Sequence, residues 1–470
     1  MSFFIYDLIF MAIFVIAVVM FLYKKNHNLK KQGWMYLYHS TRGIEWMKSF
    51  SKRYRKILEP LQYVVVACGY FLLAAMVWLL GVTLYRYLAT PEIVNVIKAP
   101  PVAPLIPYFP SLFGLESFFP PLYFTYFIVA LAVVAIVHEF AHGIFAKLNG
   151  IRIKTTGFAF LGPILGAFVE PDEKQMEKAD KFPQLAILAA GTFANVVFAI
   201  LFGLVLALFF TLSFTPAGVN FNTYSSSVID LGDVDSVNGM DISNIENILE
   251  IIEGNETLVN ISLDGEIYLA SGFALKNAVE RDLVENVLVF DDTPAARNGL
   301  RGPIVSIDGE KITSQEELSR ILGSYSPGDE IIIETKQNDE QEFHNITLGE
   351  RNGNAFLGIG MNYPEGLKGA YFNFIANSKN NGKIYYETTW NGEFVWFIYY
   401  LLWWIVLINI LVALFNMLPL GILDGGRFFY LTFWGLTGNE KIGKNAFLFA
   451  TWAIVAIFVL MMLAWFFALF

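Results

Sequence analysis

The stretch Ile136 to Gly143 reads I-V-H-E-F-A-H-G, and three of its side chains have the types and spacing that metal-assisted hydrolysis needs. His138 and His142 stand four apart, so on a helix their imidazoles lie one turn apart on the same face and can share one tetrahedral zinc ion. Glu139 sits beside them; a carboxylate there does not ligate but can take a proton from water at the metal. A catalytic zinc site uses three protein ligands and keeps its fourth position open. Asp424, in N-M-L-P-L-G-I-L-D-G-G-R from Asn416 to Arg427, can be the third. Taken singly these residues have plainer readings: hydrogen-bonded core histidines or a proton relay for the pair, and a helix cap for Asp424.

The elements that must position them are membrane helices. With 470 residues, 55% hydrophobic and 16% aromatic, the composition is that of a polytopic α-helical membrane protein with room for one soluble insert. The mean hydropathy of +0.50 agrees. Six runs are long enough to span: about Phe3 to Tyr23, Leu61 to Leu88, Leu122 to Lys147, Leu185 to Phe214, Phe394 to Leu418 and Phe447 to Leu469. No small-residue cleavage site follows the first, which reads as a retained anchor. The two histidines and Glu139 fall inside the third run, where an ionisable group is costly unless it is paired or ligates a metal.

Basic residues set the orientation. The connection from Lys24 to Pro60 carries Lys24, Lys25, Lys30, Lys31, Arg42, Lys48, Lys52, Arg53, Arg55 and Lys56 against Glu45 and Glu59, which predicts a cytoplasmic loop. Alternation then predicts an external N-terminus, an external Pro-rich stretch Pro91 to Pro121, a cytoplasmic Gly150 to Phe182, an external insert from Thr215 to about Glu393, and a cytoplasmic Pro419 to Asn445. Three N-x-[ST] sequons in the insert, at Asn255, Asn260 and Asn345, fit an external position. On this topology His138, His142 and Asp424 all fall towards the cytoplasmic ends of their segments, His138 being roughly 14 Å along the helix from Lys147. The net charge of −10 comes from the insert and reads as a solvated surface; no nucleic-acid partner is expected. The single cysteine, Cys68, excludes an intrachain disulfide framework and a thiolate metal site.

Between the third and fourth spans, Ile151 to Glu173 is apolar but too short and too rich in Gly and Pro to cross a bilayer. A re-entrant or interfacial β-hairpin fits it better than a greasy loop, and its strand edge could pair with an extended peptide. The fourth span opens with A-A-G-T-F-A-N, in which Asn195 needs a polar partner: water, a substrate carbonyl, or a neighbouring helix. The insert holds an internal repeat. V-D-S-V-N-G-M-D-I-S-N-I-E-N-I from Val234 matches I-V-S-I-D-G-E-K-I-T-S-Q-E-E-L from Ile304, each predicting a strand, a two-residue turn ending in Gly239 or Gly309, a short strand and a helix start. The pattern resembles PDZ domains of the protease-associated type; the copy at about Leu283 to Met361 is the clearer one.

Together, H-E-F-A-H at 138–142, Gly191 with Asn195, the set Asn416, Pro419, Asp424 and Gly425, the apolar hairpin and the PDZ-like insert resemble the site-2 protease family, intramembrane zinc metalloproteases. The likeness covers about Leu122 to Arg427. It implies one zinc per chain held by His138, His142 and Asp424, with Glu139 as general base. It further implies a substrate-binding set of Gly191, Asn195, Asn416 and Pro419, joined by Phe158, Leu161 and Val169 on a clamping hairpin. Where related sequences often carry Pro after A-A-G, this chain has Thr192. The implied domains are membrane helices and loops over 1–121, core parts over 122–214 and 394–470, and an extracytoplasmic insert over 215–393. The implied activity is regulated intramembrane proteolysis of transmembrane substrates in the lipid bilayer, with the PDZ-like region holding an extended segment. A metal or proton transporter would need polar residues along a complete path, whereas the outer halves of these spans are apolar. An inactive PDZ-bearing scaffold would have lost Glu139 or a ligand.

Overall fold

The computed structural model describes residues 3–469 apart from 26–28, 34, 90–99, 102, 117, 162–163, 253–257, 281–286, 338–339, 365 and 379. It divides into two compact units, Met1–Leu212 with Asn391–Phe470, and Ser213–Trp390. Among the described residues the first holds six helices long and apolar enough to cross a membrane. In chain order it contains α1 (Phe3–Lys24), strands β1 (Leu29–Gln32) and β2 (Met35–Ser40), α2 (Arg55–Ala89), α3 (Phe124–Leu148), strands β3 (Ile153–Leu161) and β4 (Ile164–Pro171), and α4 (Lys181–Ser213). After the second unit come α5 (Gly392–Asn416), a shorter α6 (Asp424–Thr437) and α7 (Glu440–Leu469). All but α6 are the spanning helices, so the chain is a polytopic membrane protein. Helix α2 starts at Arg55, before Pro60, because a proline near a helix start forfeits a single backbone bond without ending the helix.

Four antiparallel strands run in the order β1-β2-β3-β4. The basic connection after α1, expected as a plain loop, therefore supplies half of this sheet, pairing Tyr36 with Phe160 and Ser40 with Thr156. Gly157 permits the pairing, since a β-carbon there would lie 1.9 Å from the Tyr38 carbonyl oxygen. The short helix Ile44–Arg53 that follows seats Met47 against α3; a β-carbon on Gly143 would meet its sulfur at 2.1 Å. Thus a side chain at the glycine after H-E-F-A-H would have to displace the buried Met47.

The other end of α3 is held from a distance. Its N-cap residue, Tyr123, makes no side-chain cap. Instead the buried Asp7 carboxylate of α1 accepts from the Phe124 and Thr125 amides, both at 2.8 Å, from Thr125 Oγ1 at 2.6 Å and from the Tyr108 hydroxyl at 2.7 Å. A negative charge there complements the helix dipole and fills the free amides of the first turn.

The second unit has two six-stranded sheets, each with its own apolar core, one including Val237, Ile261 and Leu275 and the other Ile304, Ile331 and Ile346. The repeated segments form matching hairpins, Ser236–Val237 with Met240–Asp241 and Ile304–Ile307 with Glu310–Lys311. Both turn residues of each have positive φ, 50° and 77° at Asn238 and Gly239, 48° and 82° at Asp308 and Gly309. Such a turn matches the twist of the flanking strands. Helices Asn247–Ile251 and Gln315–Leu322 follow where expected. Asn260 and Asn345 lie exposed on strands; Asn255 lies outside the described residues.

Asp7→Leu is expected to destabilise the membrane unit by about 3 kcal/mol or more, because it strands the buried Phe124 amide and three part-buried donors, and Asp7→Asn by less. Thermal unfolding of the detergent-solubilised protein measures both.

Candidate metal centre

Helix α3 carries His138, Glu139 and His142 in its last three turns, and Asp424 opens α6. Between α5 and α6 the chain folds back tightly through Met417 to Leu423. A β-carbon on Gly425 would lie 2.2 Å from the Met417 carbonyl carbon, and one on Gly426 2.2 Å from the Leu420 oxygen, so both glycines of L-D-G-G are needed for the fold-back that delivers the carboxylate.

The three side chains meet. His138 Nε2 is 3.0 Å from Asp424 Oδ2 and 3.0 Å from His142 Nε2, and His142 Nε2 is 3.3 Å from the same carboxylate oxygen. Zinc ligands near 2.0 Å at tetrahedral angles stand about 3.3 Å apart, so this triangle has the size of one face of a zinc site. Both histidines are buried and Asp424 is partly open. A second observation points the same way. A β-carbon on Gly191 of α4 would lie 2.5 Å from His142 Nε2 and 2.6 Å from His138 Nε2, so the glycine clears space at the donor atoms. Nitrogen and oxygen donors of this kind suit zinc.

Helix α4 also backs the imidazoles. His142 Nδ1 donates to the Ile187 carbonyl at 2.6 Å, and the Asn195 amide lies 3.2 Å from His138 Nδ1. Thr192, the departure from the related pattern, is fully buried with its hydroxyl donating to the Ala189 carbonyl at 3.0 Å, so the helix accommodates it without an unpaired group.

On the other side of α3, Glu139 Oε2 accepts from the Val169 amide of β4 at 2.8 Å. A cavity of about 520 Å³ opens over the triangle, lined by His138, Glu139, His142, Val169, Asn416 and Asp424 among others. Of the residues expected around substrate, Val169 and Asn416 thus face the cavity. Gly191 and Asn195 lie behind the histidines. Phe158 and Leu161 belong to β3, one strand in from β4. Pro419 is in the fold-back, its carbonyl accepting from Thr451 Oγ1 at 2.9 Å. Two groups at the site were invisible to residue-type reasoning, the Ile187 carbonyl and the Val169 amide, because backbone atoms leave no mark in a sequence. Arg427 also lines the cavity, and its position in D-G-G-R could have flagged it.

The family model for peptidase family M50 matches residues 126–463. An uncharacterized protein of Methanocaldococcus jannaschii is 27% identical over 245 residues, covering 50% of this chain and 61% of that protein. A probable periplasmic serine endoprotease, DegP-like, of Halomonas elongata is 28% identical over 101 residues, 20% of this chain and 19% of that protein. The chain therefore spans less than two thirds of the length of either relative.

Gly191→Ala is expected to weaken metal binding by about 10-fold or more, since the methyl group displaces the two imidazoles of the candidate site. Gly203→Ala in the same helix, where a β-carbon meets nothing within 4 Å, should bind as the wild type does. Metal retained after dialysis against a chelator reports the difference; equal retention by both variants would show that the histidines have room to shift.

Proposed function

The chain belongs to peptidase family M50, the site-2 protease family, and on that premise we propose that it cuts transmembrane segments at a zinc site of His138, His142 and Asp424 with Glu139 as general base. That it is a membrane metallopeptidase follows from the family itself; the metal, the residue roles and the substrate are the proposal. The observation that carries it is the donor triangle sharing one cavity with Glu139 and with β4.

Zinc bound there would supply a Lewis acid that polarises a carbonyl and acidifies water. Glu139 takes the proton from water and returns it to the leaving amine, within reach of the cavity that the ligands line. Asn416, at the end of α5 on the same cavity, offers an amide donor to a substrate carbonyl. A transmembrane helix hides its amides in its own hydrogen bonds, so the substrate must unwind before hydrolysis. Strand β4 supports that step. It pairs with β3 on one side, and among the described residues no strand covers its other side, where the Val169 amide points to Glu139. An unwound segment added to this edge would run past the base and the ligands. Phe158, Leu161 and Val169 are the hairpin's clamp in this reading, and the hairpin sits at the membrane interface.

In this topology the active site lies towards the cytoplasmic leaflet and the insert outside, as two PDZ-like modules for an extended substrate segment. The pairing of β2 with β3 supports one side for the basic connection and the hairpin, as alternation requires. The activity is that of regulated intramembrane proteolysis.

Glu139→Gln should keep its zinc and still bind substrate, while hydrolysis of a membrane substrate in liposomes falls at least roughly 10²-fold. Asp424→Ala and His138→Ala should lose zinc. Near-normal cleavage by zinc-loaded Glu139→Gln would remove the assignment of the base, and full zinc in both ligand variants would remove the site. A reporter inserted at Gly353 should be accessible from outside the cell and one at Lys31 from the cytoplasm alone; reversed labelling overturns the orientation.

A further inference from the structure

From the face of α4 behind the histidines, we infer that Asn195 is a positioning residue that fixes the His138 tautomer for metal binding. The inference rests on the zinc reading above. Ile187, Gly191 and Asn195 are spaced four apart on α4 and so lie along one helix face. His138 and His142, four apart on α3, meet that face in sequence: His142 at the Ile187 carbonyl, both imidazoles at Gly191, His138 at Asn195.

A carbonyl only accepts, so His142 carries its proton on Nδ1 and turns the Nε2 lone pair towards His138 and Asp424. His138 must do the same if its Nε2 is to ligate. Its proton then sits on Nδ1, and the group facing it has to be an acceptor. Asn195 fills that place when its carbonyl oxygen, not its amino group, faces the ring, an orientation that heavy-atom positions alone do not distinguish. Asn195 is fully buried, and its Oδ1, placed away from the ring, has no partner among the described residues. One hydrogen bond to His138 is what this amide supplies, whereas a leucine would pack the helices without leaving an amide atom unpaired. The pairing of ligand imidazoles with outer acceptors sets both tautomer and ring angle.

The test uses the full chain in detergent, first without substrate and then with a membrane substrate. Zinc affinity is measured by chelator competition for the wild type, Asn195→Leu and Asn195→Asp. The expected result is an affinity about 10- to 100-fold weaker for Asn195→Leu. Asn195→Asp, which keeps an acceptor, should stay close to wild type. At raised free zinc, Asn195→Leu should regain cleavage with unchanged KM. Wild-type zinc affinity in Asn195→Leu together with a raised KM would place Asn195 on the substrate and overturn the inference. So would an Asn195→Asp variant as weak as Asn195→Leu, because the role would then be packing alone. Should Asn195→Leu fail to fold, Asn195→Ala carries the same comparison. A wild-type chain that holds no zinc would overturn the zinc reading as well, which separates the two failures.

Discussion

Two imidazole nitrogens and a carboxylate oxygen brought together within apolar helices are the constraint on which the membrane unit depends. In a low-dielectric setting three such groups must be satisfied by one another or by a metal, and they lie 3.0 to 3.3 Å apart. A metal would be held there only if each ring is kept in one tautomer and at one angle. The face of α4 meets the requirement with three consecutive turns: a carbonyl at Ile187, a vacancy at Gly191 and an amide at Asn195. The spacing of A-A-G-T-F-A-N is thus the complement of the spacing of H-E-F-A-H.

The rest of the unit holds α3 in place against that face. At one end the Asp7 carboxylate of α1 caps it across more than a hundred residues of chain. At the other, Met47 occupies the space Gly143 leaves open. The fold-back of D-G-G onto the Met417 and Leu420 backbone brings Asp424 to the same point from the far end of the sequence. Each contact uses a residue that is costly or unusual for a membrane helix, a buried acid or a glycine, and each is offset by a specific partner.

The four-stranded sheet gives the site its open side. Because β1 and β2 lie on the far side of β3, β4 is left as the strand facing the cavity, with its Val169 amide on the Glu139 carboxylate. A backbone donor kept on an unpaired strand edge, next to the Glu139 carboxylate, is a natural place for an extended chain to be received.

The donor set and the membrane character were legible in the sequence for simple reasons. Candidate ligands are residue types with fixed spacing, and spans are runs of apolar residues, so His138, Glu139, His142, Asp424 and the six long helices among the described residues needed no neighbours to be seen. The repeat in the insert was legible because a two-residue turn of positive φ demands Asn-Gly or Asp-Gly. Tertiary structure alone decided what depends on partners distant in the chain. Tyr36 to Ser40 became a strand only because β3 lies beside it, and Asp7 became a cap only because α3 begins there. Asn195, whose type asked for a polar partner without naming one, faces His138 instead of open cavity because the pitch of α4 matches that of α3. Local sequence encodes which groups a segment offers; which group another segment brings to meet it is a property of packing, and no window of the sequence contains it.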